Sequence, residues 1–277
     1  MTRFANPISD SATFFRNPIG SPFPSIGPLG PVLPVTTNLL AWWDFSDRAT
    51  LDVTSDGDPI GLVEDKSNDY DMSQTTTAKK PTWRKNVRNG QAISRFDRVD
   101  DYLVLTPLDA FKIDDFSVFA VCEHDITGSG STRETLYSNR GFWSSGSIQG
   151  FRLYEESDEI RLQVGVTVSL AIILSSSGDA FPVNTWKIIS AIKSGTLGTL
   201  YLDGVQVGQR NDFPANINYP ISTLSTTNVG CSRQASPPVA NFHGGDIAEI
   251  LVFSDAKSGA DQDLIEGYLA EKWGFTL

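Results

Sequence analysis

The residues best suited to acid–base chemistry stand together as Glu123-His124-Asp125. Two carboxylates can act as general acid and as base or nucleophile in glycoside hydrolysis, provided that they flank the scissile bond. Glu123 and Asp125 instead fall as neighbours on one face of a strand end, and "EESDE" (155–159) offers no better spacing. With His124 and His243 as the only histidines, a Ser-His-Asp triad has little to draw on. The chain has neither a Gly-x-Ser-x-Gly elbow nor a Gly-rich loop leading into a helix to cradle phosphate. Cys122, His124, Cys231 and His243 could be assembled on paper into a zinc site, since C-x-H on a strand points both side chains to one face. Paired C-x2-C ligands are missing, however. The two cysteines are expected as small buried hydrophobes rather than as a disulfide.

Binding chemistry is better represented. "SDGDP" (55–59) and "EDKSNDYD" (64–71) are oxygen-rich loops, and a hard cation seeks six to eight oxygen ligands. Asp56, Asp58, Asp65, Asn68 and Asp69 are the candidate calcium ligands, and Asp97, Asp100 and Asp101 form another acidic cluster. Asp, Asn and Gly also make turns with no ion present. Sugar rings stack on exposed aromatics. "SNRGFWSSGSIQGF" (138–151) carries Phe142 and Trp143 in a Gly/Ser-rich loop beside Asn139 and Arg140, and these four residues are the candidate glycan contacts. Loops on a rigid β scaffold commonly hold such sites.

The formal charge of −11 repels nucleic-acid phosphates, and no basic stripe offsets it. No apolar run reaches the ~20 residues that span a bilayer. The N-terminus lacks the basic start and apolar stretch of a secretory signal, so assembly in a bacterial cytoplasm is expected.

These candidates need a scaffold, and the chain reads as β. Strand patterns follow at short spacing: "LLAWWDF" (39–45), "AISRF" (92–96), "DYLVL" (101–105), "FSVFAVCEH" (116–124), "FRLYEE" (151–156), "EIRLQVGV" (159–166), "TWKIISAIK" (185–193) and "TLYLDGVQVGQ" (199–209). Asp203-Gly204 supplies a hairpin turn, and Ser157-Asp158 a second one. In "DIAEILVFSDAKS" (246–258), alternation puts Ile247, Glu249, Leu251 and Phe253 on one face and Ala248, Ile250 and Val252 on the other. A helix follows over 258–273, with a capping box at Ser258 and Asp261. Its apolar stripe is Leu264, Ile265, Tyr268, Leu269 and Trp273, and it stops at Gly274.

Residues 1–38 differ from the rest. They hold seven of the fifteen prolines (Pro7, Pro18, Pro22, Pro24, Pro28, Pro31, Pro34) and only Arg3, Asp10 and Arg16 as charges. Such proline density forbids helix interiors and central strands. "FANPIS" (4–9) and "FRNPIG" (15–20) echo one another. Phe4, Ile8, Phe14, Phe15, Ile19 and Phe23 are too apolar for a solvated spacer, so an extended docking arm is expected.

"LLAWWDFSD", "VEDKSNDYDMSQTTTAKKPTW", "AISRFDRVDDYLVL", "LYLDGVQVG" and "FHGGDIAEILVFSDAKSGADQDLIEGYLAEKWG", in this order, resemble the laminin-G-like, concanavalin A-like jelly-roll domains of bacterial surface proteins and tailed-phage virion proteins. The resemblance covers nearly all of 39–277. One departure is Arg98, where "FDGVDDYL" would be expected. It implies an all-β, two-sheet antiparallel sandwich, usually non-catalytic, that binds glycans or proteins and sometimes calcium. The glucanases of this fold class carry Glu-x-Asp-x-x-Glu, and the third position is Gly128 here.

The expectation is therefore an arm (1–38) and a jelly-roll body (39–277) ending in a helix. Its expected role is a non-enzymatic virion structural protein, capsid-decorating or tail-associated. The arm would fasten it to other virion proteins in an oligomeric assembly, and the body would contact host glycans. A carbohydrate-binding adhesin or receptor-binding module is the alternative, and a glycan-active enzyme stands behind it.

Overall fold

The computed structural model describes residues 31–105, 109–125, 133–140, 149–166, 170–178, 180–219, 226–233 and 239–277. The arm residues Phe4, Ile8, Phe14, Phe15, Ile19 and Phe23 lie outside them, as do Phe142 and Trp143. Pro31–Leu277 is one compact unit.

In chain order the strands begin with β1 (Leu39–Asp44), β2 (Leu62–Val63), β3 (Met72–Ser73), β4 (Thr82–Arg88), β5 (Gln91–Asp97) and β6 (Leu103–Leu105). The middle of the chain gives β7 (Phe116–His124), β8 (Glu134–Ser138), β9 (Phe151–Glu156), β10 (Glu159–Gly165), β11 (Ala171–Ser175) and β12 (Lys187–Ser194). Then come β13 (Leu197–Leu202), β14 (Val205–Arg210), β15 (Thr227–Val229), β16 (Ser232–Arg233), β17 (Val239–Ala240) and β18 (Gly244–Phe253), and helix α1 (Ala260–Trp273) ends the series.

Among the described residues the strands build two eight-stranded sheets and a small β16–β17 ribbon. The first sheet runs β14-β13-β12-β7-β18-β5-β4, with β1 also on β18; the second runs β11-β10-β9-β8-β15-β6-β3-β2. All pairings between these strands are antiparallel, and the fold is the expected sandwich. The hairpin turns form as the residue types require. Ser157-Asp158 and Asp203-Gly204 all take positive φ, the geometry that matches strand twist in two-residue hairpins. Arg98 has φ 65°, which explains why glycine suits that turn.

One core lies between the sheets, with Trp43, Phe45, Phe116, Phe151, Leu162 and Val252 among its members. A second lies on the outer face of the first sheet, where α1 packs Ile265, Leu269 and Trp273 over Phe119, Val121, Leu251 and Phe253. Strand β7 is covered on both sides, which is why its run from Val118 to Cys122 is apolar without a break.

Four details correct the sequence expectations. A bulge between Ile247 and Glu249 breaks the alternation of β18. Ile247 therefore joins Ile250 and Val252 in the inter-sheet core, while Ala248 joins Leu251 and Phe253 under the helix. The helix begins at Ala260, with Gly259 as N-cap and no side-chain cap bond, so Ser258 makes no capping box. Asp261 and Asp263 favour that end through the helix dipole. Leu264 is 50% exposed and leaves the apolar stripe. Leu33 and Val35, read as arm, pack in the second core, so the body begins by residue 31.

The helix is also held by a buried polar knot. Glu249 Oε1 accepts from Trp42 Nε1 (2.6 Å) and the Tyr268 hydroxyl (2.8 Å). Its Oε2 accepts from Lys272 Nζ (2.8 Å) and Trp273 Nε1 (2.7 Å). Lys272 in turn pairs with Asp44 at 2.7 Å, and Lys66 reaches Asp44 at 3.0 Å. Every strong donor here meets an acceptor, the condition for burying charge without a large penalty. Among the described residues no helix is long and apolar enough to cross a membrane.

Candidate functional site

The outer face of the second sheet, opposite the inter-sheet core, is where polar side chains collect. Alternation along β9 sends Phe151 and Leu153 into the core and turns Arg152, Tyr154 and Glu156 outward. Register carries the pattern sideways. Arg152 pairs with Gln163 and Ser138, and Tyr154 with Arg161 and Thr135. Arg140 lies two residues beyond the end of β8.

Two of these arginines are deeply buried, Arg152 at 1% exposure and Arg140 at 7%. Arg152 donates from Nε to Gln163 Oε1 at 2.7 Å, and its guanidinium carbon lies 4.1 Å from the Tyr154 ring centre. Ser232 Oγ stands 3.5 Å from its Nη1. The Arg140 backbone N–H donates to Ser138 Oγ at 3.2 Å, but its side-chain Nε is buried with no hydrogen-bond partner. Burial, reinforced by Arg133, lowers the Arg140 pKa to about 10. Burial, reinforced by Arg140, lowers that of Arg152 to about 9.

The neighbouring carboxylates are already engaged. Glu156 accepts from Arg133 at 3.0 Å and from Arg161, and Glu159 pairs with Arg161 at 2.8 Å. Among the described residues no carboxylate forms an ion pair with Arg140 or Arg152. A chain of net charge −11 thus holds a local cationic surplus, and unpaired buried charge calls for a counter-ion. Arg152, Tyr154 and Gln163 were missed in the sequence. Their signal is the polar half of two otherwise apolar alternating strands.

The residues singled out in the sequence fare differently. Asn139 works structurally: its Nδ2 donates to Phe111 O (2.9 Å) and its Oδ1 accepts from Phe151 N (2.8 Å). Arg140 belongs to the site.

Four of the calcium candidates brace backbone, in their own loops or on neighbouring strands. Asp58 Oδ2 accepts from the Thr54 and Ser55 N–H groups at 2.7 Å, and Asp56 Oδ1 from Lys85 N at 2.8 Å. Asp65 Oδ1 accepts from Trp42 N (2.7 Å) and Ser67 N (3.0 Å), and Asn68 Nδ2 donates to Leu40 O (3.0 Å). Asp69 is exposed. The structure does not gather these five around a common point. The ligand groups it does gather, among the described residues, are Asp97/Asp100/Asp101 and His124/Glu155/Asp158. Asp97 Oδ1 already caps the N–H groups of Val99 (2.8 Å) and Asp100 (3.2 Å).

The acid–base candidates do not converge on an open site. His124 turns into the core, where its Nε2 meets Phe181 O at 2.6 Å, while Glu123 is only half-buried on the other face of β7. Glu134 and Glu155 are opposed across β8 and β9, and burial raises their pKa values to about 7 and about 8. Both are wholly inaccessible. Cys122 and Cys231 are free and buried, with burial pushing both thiols up. The zinc set is not gathered.

A groove of about 560 Å³ runs between the edges of β11 and β14, lined by Ile173, Leu174, Ser175 and residues 209–212. Its lining has no aromatic ring, and its Arg210 pairs with Asp212.

Comparison with known proteins agrees with this architecture. The binding domain of Paraclostridial Mosquitocidal Protein 1 superposes with a TM-score of 0.60 at 12% identity, covering 87% of this chain and 56% of that one. The botulinum neurotoxin serotype D ligand binding domain, in complex with N-acetylneuraminic acid, gives 0.58 at 12% identity, covering 87% and 54%. Trypanosoma rangeli sialidase in complex with sialic acid gives 0.56 at 14%, covering 89% and 36%. The chain thus spans roughly a third to just over half the length of these structures, and at such identities the likeness is one of fold. No curated protein matches. A family profile described as the concanavalin A-like lectin/glucanases superfamily matches residues 97–261. With the fold and more than half of the sequence in agreement, the chain belongs to the concanavalin A-like lectin/glucanases superfamily.

Proposed function

We propose that this chain is a non-catalytic carbohydrate-binding module whose ligand seats on the outer face of the second sheet. The observation that carries this reading is the pair of buried arginines, Arg140 and Arg152, with no carboxylate partner among the described residues. Support comes from the structural relatives crystallised with N-acetylneuraminic acid and sialic acid. The non-catalytic part rests on Glu134 and Glu155, which lie inside the sandwich with no surface exposure. Phe142 and Trp143, which follow Arg140 in sequence, are proposed as stacking platforms for the sugar. Calcium plays no part in this reading: Asp56, Asp58 and Asp65 each accept backbone N–H bonds, from Lys85, from Thr54 and Ser55, and from Trp42.

Binding of the full chain to immobilised glycans tests the proposal. The expected result is saturable binding with no release of reducing sugar. Glycan cleavage would refute the non-catalytic reading.

A finer reading places the module on a tailed-phage virion as a capsid-decorating or tail-associated protein. Its support is the arm: the echo "FANPIS"/"FRNPIG", seven prolines and few charges in residues 1–38. Such a segment suits fastening to neighbouring virion proteins in an oligomeric assembly.

A further inference from the structure

We propose, resting on the carbohydrate-binding reading above, that the glycan bound here carries an anionic group, a carboxylate or a sulfate, which seats against Arg140 and Arg152. Neutral sugar hydroxyls could accept a hydrogen bond from a guanidinium, but they could not balance its charge. Among the described residues the face holds four guanidiniums, Arg133, Arg140, Arg152 and Arg161, against two carboxylates, Glu156 and Glu159. Both carboxylates belong to the rim pairs with Arg133 and Arg161.

The floor of the site is therefore left with positive charge. Among the described residues Arg152 makes its direct contacts with neutral groups: Gln163 Oε1 at 2.7 Å, Ser232 Oγ at 3.5 Å and the Tyr154 ring. Its Nε and Nη1 are thus taken up by neutral acceptors, which leave its charge unbalanced. Arg140 is less satisfied still, because its Nε has no partner although only 7% of the residue is exposed. A planar guanidinium fork matches the two oxygens of a carboxylate or sulfate bidentately, and charge-assisted bonds of this kind are stronger than neutral ones. One anionic group between the two arginines would meet the orphaned donor and the excess charge together. The sign of the protein as a whole makes the point sharper: long-range attraction would favour cationic ligands, so the selectivity for an anion has to be local.

The test is a glycan array carrying matched neutral and acidic members, probed with the full-length chain. It is followed by titration calorimetry with lactose, 3′-sialyllactose and 3′-sulfolactose. The acidic members are expected to bind at least about tenfold tighter than their neutral partners. Comparison of the two charged lactoses tells carboxylate from sulfate. Arg140→Met is expected to remove the preference while leaving the melting temperature unchanged or raised, since it deletes an unpaired buried charge. Should Arg140→Met fail to fold, Arg133→Gln at the exposed rim replaces it, with the acidic preference expected to drop several-fold. Binding of neutral and acidic members with equal affinity would overturn the inference and leave the carbohydrate reading standing. An array on which nothing binds would overturn both. An acidic preference untouched by Arg140→Met would place the anion elsewhere and overturn this site.

Discussion

Arg152 and Gln163 face each other across β9 and β10, joined by a 2.7 Å bond from a buried guanidinium to a neutral amide oxygen. A buried arginine usually finds a carboxylate. Gln163→Glu would supply one at the same reach, so the protein should gain about 1–3 kcal/mol of stability. The same change should weaken any anionic ligand by neutralising its seat. Urea unfolding and glycan titration of this one variant check both halves. A loss of stability would show that Arg152 is already balanced.

The Glu249 knot makes a second prediction. Its four acceptor contacts, to Trp42, Tyr268, Lys272 and Trp273, fix α1 on the first sheet. Glu249→Gln keeps the volume but removes one acceptor oxygen and the partner charge of Lys272. The expected loss is about 3 kcal/mol in urea unfolding. A loss under ~1 kcal/mol would mean that the apolar contacts alone hold the helix.

Stability should also depend on pH through the buried carboxylates. Burial raises Glu155 to about 8 and Glu134 to about 7, against an ordinary 4.5. The folded protein keeps these protons where the unfolded chain has lost them. Their contribution is complete below about pH 4.5 and is lost as pH rises through 7 to 8. Glu155→Gln should therefore be more stable than the parent at pH 9, by several kcal/mol, and nearly equal to it at pH 4.5. His243 works in the opposite direction. Burial, with the nearby His124, lowers it to about 3, so its contribution is present above pH 6.5 and fades as pH falls toward 3. Melting temperatures of parent and Glu155→Gln from pH 4 to 9 separate the two effects; parallel curves would contradict the assignment to Glu155.

The arm predicts a difference in mass. Light scattering should show the full chain assembling and a chain beginning at Pro31 remaining a folded monomer. Equal masses would remove the fastening role. Pro31 is the proper starting point because Leu33 and Val35 are part of the body's second core.

Much of this architecture is legible in local sequence. Period-two alternation and turn chemistry are short-range signals, and they mark β9, β10, β13 and β14 to within a residue or two. The face assignment of Ile247 is not legible, because the bulge that moves it arises where β18 changes partners, from β5 at Gly244–Ile247 to β1 beyond Glu249. The helix start moved because Gly259 takes φ 55°, a backbone choice that the Ser258–Asp261 spacing does not encode. The site was half visible. Arg140 stood out beside its aromatic loop, whereas Arg152 and Gln163 acquire meaning only through cross-strand register and burial. Asn139 and the Asp loops show the converse: residues chosen for their ligand chemistry serve the backbone around them.

The most direct measurement of the central claim is a crystal structure of the full chain with the tightest-binding glycan from the array. The account predicts a sugar on the outer face of the second sheet, its anionic group within hydrogen-bond reach of Arg140 and Arg152. A sugar seated in the groove between Ile173 and Asp212, with Arg140 still unpartnered, would contradict it.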